Sequence, residues 1–115
     1  MPERMTAAAL DHRAEFALRE TVETDMGGSR DEWVTQFVEW AAVKYLRGTE
    51  TVLQARLESR NPVIVTVRNS ARARLVTSEW QVRLRSRSGV VLVAEVREDP
   101  RPTERDGFLE MLAEG

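Results

Sequence analysis

The stretch from Trp80 to Val96 limits the possible folds more than any other part of the chain. Trp80, Val82 and Leu84 alternate with Gln81, Arg83 and Arg85; the chain turns over residues 86–89 and returns as Val90-Val91-Leu92-Val93-Ala94-Glu95-Val96. A period of two sends alternate side chains to opposite faces of a pleated strand. The segment is therefore an antiparallel hairpin with one apolar face and one face bearing arginines. A lone hairpin is at best marginally stable in water and leaves two edges unpaired. More strands are required, and the rest of the sequence offers them.

The β-branched run Val63-Ile64-Val65-Thr66-Val67, opened by Pro62, reads as a strand. Between His12 and Val22, Ala14, Phe16, Leu18 and Val22 alternate with Arg13, Glu15, Arg19, Thr21 and Glu23. We read this as a half-buried strand, although its Ala, Leu, Glu and Arg content also suits a helix and Glu20 falls on the apolar side. Residues 24–31, TDMGGSRD, form a flexible hairpin loop in this reading, because Gly27 and Gly28 tolerate positive φ. Residues 33–46 fit a helical stripe through Trp33, Phe37, Trp40 and Ala41 and fit an extended segment equally well. Arg47-Gly48 interrupts the chain, Thr49 caps a short helix carrying Val52, Leu53 and Leu57, and Asn61-Pro62 ends it.

Residues 69–78 are expected as loop, with a short strand at 74–76, and Pro100 and Pro102 keep residues 98–107 out of any central strand. Phe108, Leu109, Met111 and Leu112 close the fold. The expectation is a mainly β single domain over residues 1–115: a small antiparallel β-barrel or sandwich of five to six strands, with one short helix and a long hairpin loop.

The 115 residues suffice for one modest core. No apolar run approaches the roughly 20 residues of a membrane-spanning helix, so no membrane is expected among its partners. The polar first ten residues do not resemble a secretory signal. Without cysteine there is no disulfide framework or thiolate site, and a single histidine, His12, rules out a multi-histidine metal cluster. His12 reads as an ordinary surface or strand-end residue.

Charge is distributed unevenly along the chain. Residues 60–87 hold seven arginines against Glu79, while residues 95–115 hold seven acids against Arg97, Arg101 and Arg105. Sixteen of the seventeen cations are arginine, the side chain suited to forked pairing with carboxylate or phosphate. Two surfaces of opposite sign suit head-to-tail packing of identical copies. A solvated face in an arginine-rich sequence accounts for the pattern as well.

The paired carboxylates Asp31-Glu32, Glu98-Asp99 and Glu104 with Asp106 read as solvated loop charges rather than acid–base or magnesium sites. Neither catalytic residues, metal nor cofactor is expected. The Gly27-Gly28 pair lacks the lysine and spacing of a phosphate-binding loop. Arg83, Arg85 and Arg87 make a one-sided ladder that supports an alternative function, a small nucleic-acid-binding β-domain. The aromatic residues, however, are interleaved as core, and Trp33, Trp40 and Trp80 read as core anchors.

In order along the chain, ALDHRAEF, GGSRDEW, WAAVKYLRGTE, VIVTVR, VVLVAEVRED and GFLEMLAEG resemble the head-tail joining family of long-tailed phages and gene transfer agents, its head-closure or stopper proteins. The most telling block is Trp40, Val43, Leu46, Gly48 and Glu50. The resemblance implies a small β-barrel with a short helix and a long flexible loop. It further implies a homo-oligomeric ring of six or twelve copies beneath the portal and its adaptor. Such a ring extends the channel, retains packaged double-stranded DNA through non-specific contacts, and docks the tail terminator or tail tube protein. The particle, a virion or gene transfer agent, would be assembled in the bacterial cytoplasm. Carried onto this chain, Arg83, Arg85 and Arg87 would face the acidic carboxy-terminal stretch of a neighbour (Glu104, Asp106, Glu110) or the adaptor. The loop Asp25, Met26, Gly27, Gly28, Ser29 and Arg30 would be the candidate channel gate, with residues 69–78 as the rival loop.

Overall fold

The computed structural model describes residues 10–46, 61–103 and 107–115. Seven antiparallel strands run β1 His12–Glu23, β2 Ser29–Tyr45, β3 Pro62–Arg68, β4 Gln81–Arg85, β5 Val91–Val96, β6 Arg101–Pro102 and β7 Phe108–Glu114. Their order, β3-β2-β1-β4-β5-β7-β6 with an added β3–β7 pairing, brings the sheet back on itself. Six strands form this barrel, and the two-residue β6 lies beside β7. Closure is uneven. The β3–β7 pairing covers seven residue pairs, whereas β5 meets β7 only at Glu95↔Glu114 and Val96↔Ala113. Pairing in a ring removes the long open edges that make isolated sheets prone to aggregate.

The expected alternation sets the core. Ala14 and Phe16 of β1, Val63, Val65 and Val67 of β3, Val82 and Leu84 of β4, Ala94 and Val96 of β5, and Leu109, Met111 and Ala113 of β7 are all buried. Phe16 stacks on Phe37 of β2 with centroids 4.8 Å apart, and Trp80 leans on Phe37 at 5.9 Å. The connection from β3 to β4 plugs this end of the barrel with Ala73, Val76 and Trp80.

Several expectations are revised. Residues 33–46, which the sequence leaves open between helix and strand, are extended through Tyr45 as part of β2: a helix there would leave the β1 edge unpaired, whereas residues 29–41 pair with the whole of β1 and residues 41–45 pair with β3. Residues 73–75 are a 3-10 turn rather than a strand. Ser70 directs this, its Oγ accepting from Ala73 N at 3.1 Å and its carbonyl from Arg74 N. The hairpin between β1 and β2 is long in its strands, not in its loop. Residues 24–28 form a tight connection in which Thr24 N donates to Gly28 O and Gly27 N to Thr24 O, with Gly27 at φ +79°. Ser29 and Arg30 thus belong to β2. The helix expected over residues 49–60 lies outside the described residues.

The last β1–β4 pair is Ala17↔Gln81. Beyond it, residues 18–23 and 29–34 continue as a two-stranded arm, about 20 Å long at the usual rise per residue. The molecule accordingly measures 58 × 35 × 27 Å, with a radius of gyration of 15.3 Å, against about 13 Å for a compact chain of this length.

Arg72 holds the plug in place. Its guanidinium pairs with Glu39 and lies 5.4 Å from the Phe37 ring centre. Replacing it with alanine is expected to cost about 1 kcal/mol, the sum of a half-exposed ion pair and a cation–π contact. A urea midpoint that falls for Arg72→Ala but barely moves for Arg74→Ala checks this; an equal fall in both would refute it.

Candidate functional site

The outward face of β2-β1-β4-β5 carries the most distinctive surface among the described residues. Register builds it in rows. Trp40 stands opposite Arg13, Arg13 opposite Arg85, and Arg85 opposite Val91. The next row is Val38, Glu15, Arg83 and Val93, and the one after it is Thr35, Ala17, Gln81 and Glu95. Arg87 lies just beyond β4, in the turn that Ser86 N closes onto Val90 O, and shares a depression with Trp40.

Two of the three tryptophans expected in the core are on this face. Trp80 is buried, but Trp40 is 51% and Trp33 39% exposed. A bulge explains Trp33. Phe16 pairs with Phe37 and Ala17 with Thr35, so Gln36 is an extra residue in β2. The insertion shifts the side-chain alternation by one. Phe37 points into the barrel, yet Trp33, four residues away, is turned outward opposite Arg19. Gln36 Nε2 donates to Val34 O at 2.9 Å within this irregularity.

Arg83 and Arg85 are exposed on this face as the alternation implied, with Arg13 as a third cation that the sequence reading did not single out. Arg13 lies 5.3 Å from the Trp40 ring centre. Arg13 and Arg85 are direct neighbours of like charge, an arrangement that costs stability in an isolated sheet. Among the described residues, Arg13, Arg83, Arg85 and Arg87 have no ion-pair partner. Tryptophan and arginine over exposed valines is the composition of interface hot spots rather than of ordinary surface. An open groove of about 320 Å³ runs across the face between Glu15, Ala17, Trp33, Gln81, Arg83 and Val93.

The described carboxy-terminal acids are engaged within their own barrel. Glu110 pairs with Arg101 at 3.5 Å, Glu98 with Arg101 at 3.9 Å, and Glu95 and Glu114 with Arg97 at 3.3 Å each. Asp99 accepts from Ser78 N. Glu104 and Asp106 lie outside the described residues.

Apart from Glu15, Glu79 and Asp99, the arm carries the described acids that have no ion-pair partner. Residues 19–33 include Glu20, Glu23, Asp25, Asp31 and Glu32 against Arg19 and Arg30. Asp31 is held by Thr21 and Arg19, and Glu32 by Arg30. Glu20, Glu23 and Asp25 have no ion-pair partner among the described residues. Asp31 and Glu32 are consecutive in a strand and point to opposite faces, which prevents them from sharing a ligand. His12 opens β1 and binds Asp11 at 2.8 Å.

Comparison with known proteins gives this surface a context. The sequence model of the family described as phage head completion protein matches residues 5–114. A chain from a structure titled "Virion of native gene transfer agent (GTA) particle" is similar in fold, with a TM-score of 0.52 and 21% identity over 89% of this chain and 90% of its own. No curated protein matches the chain. A family match across nearly the whole sequence, on a closed β-barrel with an interface-like face and a projecting arm, leaves one assignment: the chain belongs to the phage head completion protein family and is a structural component of a phage-type head.

Proposed function

We propose that the protein is a head-closure subunit that assembles with copies of itself into a ring at the portal vertex, extends the DNA channel, helps retain the packaged genome and receives the tail. The observation that carries this reading is the pairing of an unsatisfied arginine and tryptophan face with an unsatisfied acidic arm on one small barrel. A surface of that kind is made for partners, and in a head completion protein the partners are neighbouring particle components. Copies related by rotation would use two different patches at each contact, the arrangement that closes into rings. The portal adaptor and the tail terminator or tube protein are the partners above and below. Packaged DNA meets the ring lumen through phosphate contacts without sequence preference.

The resemblance to a gene transfer agent virion chain supports a particle of that general build, phage or transfer agent. Deleting the gene and imaging the particles tests the reading. The expected result is filled or leaking heads without tails, restored by the intact gene. Tailed, DNA-filled particles of normal yield in the deletion strain would refute it.

A further inference from the structure

The arm and the arginine face are complementary, yet one copy cannot join them. The arm, residues 19–33, has a formal charge of −3; Arg13, Arg83, Arg85 and Arg87 with Glu15 amount to +3. Arg13 and Glu23 lie in the same strand, β1, ten residues apart. At the rise of an extended strand that is about 33 Å. The arm is hydrogen-bonded along its length through Glu23↔Ser29, so it does not fold back on its own barrel.

We propose that the tip of the arm docks on the arginine and tryptophan face of the next copy of the chain, linking copies head to tail. The inference rests on the ring reading above and names the contact that builds the ring. Glu20, Glu23 and Asp25 supply unpaired carboxylates, and Arg83, Arg85 and Arg13 receive them. Met26, 95% exposed at the tip, supplies an apolar anchor for the surface of Trp40, Val91 and Val93 or the groove beside Arg83. Among the described carboxy-terminal acids, Glu95, Glu98, Glu110 and Glu114 are paired within their own barrel and do not compete. Nor is DNA a fitting occupant for the tip, whose carboxylates repel phosphate.

Two charge-reversed chains test the contact. In a strain lacking its own copy, Glu20→Arg with Asp25→Arg, or Arg83→Glu with Arg85→Glu, should each lower the yield of complete particles at least about 100-fold, because like charges then meet across the interface. Expressed together, the two chains should restore most of that yield. Each reversed arm then meets a reversed face, and rings of even number accept the alternation. Full yield from either variant alone, or no rescue by the mixture, overturns the contact.

Should a reversed chain fail to fold, the absence of cysteine from the sequence offers a second route. Asp25→Cys with Arg83→Cys in one chain, treated with a short bis-maleimide in assembled particles, should yield a ladder of linked multimers. Either single cysteine should yield at most dimers. No ladder from particles that contain the protein overturns the docking while leaving the ring reading standing. Particles that never incorporate the wild-type chain overturn both. Salt-sensitive duplex binding by the purified chain, lost on Arg83→Glu with Arg85→Glu and accompanied by no ladder, assigns the face to DNA and also overturns the proposal.

Discussion

Replacing Phe16 with alanine is expected to lower the unfolding free energy by about 3–5 kcal/mol, the range for removing a fully buried aromatic side chain from a packed core. Phe16 is wholly buried, stacks on Phe37, and lies at the pair where β1 turns from barrel into arm. Phe37 is in turn contacted by Trp80 and covered by Arg72. Removing Phe16 therefore leaves a cavity beneath the plug as well as between two strands. A domain of this size has about 5–15 kcal/mol in total, so the variant should melt roughly 15 °C lower. Thermal unfolding followed by circular dichroism checks the shift. A loss under about 1 kcal/mol would mean that the two aromatic rings do not hold this end of the barrel.

Trp40→Ala should behave in the opposite way. Half of the Trp40 surface is already in solvent, so its truncation should change the melting temperature little, by an amount equivalent to less than about 1 kcal/mol. Assembly should suffer far more. A tryptophan at the centre of an interface commonly accounts for at least about 2 kcal/mol, near 30-fold in the affinity of one contact. The same loss repeats at every junction of a ring. Arg13, which lies over the indole, would also lose its partner. The purified variant should fold normally yet be depleted from particles, measured by quantitative immunoblotting against a capsid standard. Normal incorporation, or a collapse in stability equal to that of Phe16→Ala, would remove Trp40 from the interface.

Much of the barrel was legible because its strands obey a simple period. The β4–β5 hairpin, the valines of β3 and the closing β7 segment all lie where alternation or β-branching put them. The outward aim of Arg83 and Arg85 followed from the same rule. Arg13 was readable as an outward residue of β1, but its place beside Arg85 depends on β1 pairing with β4, a contact between segments about 70 positions apart. Nothing local specifies such a pairing.

The acid partners show the same limit. A run of carboxylates near the end of the chain suggested a docking surface; among its described members, folding returns Arg101 to Glu110 and Arg97 to Glu114. Among the described acids left without an ion-pair partner, Glu20, Glu23 and Asp25 lie where two strands extend beyond any third neighbour, and the length of that extension is a property of the assembled sheet. Residues 33–46 were undecidable locally for a related reason: tryptophan, phenylalanine and alanine suit either helix or strand, and the unpaired edge of β1 decides between them.

Local chemistry, then, determined that this chain would be mainly β, would lack cysteine chemistry, and would separate its charges, because each of these follows from side-chain type and spacing alone. Tertiary structure decided which charges remain unpaired and which tryptophans meet solvent. One inserted residue, Gln36, reverses the alternation in β2, so that Trp33 faces outward while Phe37 is buried. The physical reason is that a strand's two faces are equivalent until its neighbours are in place, and a single-residue change of register exchanges them.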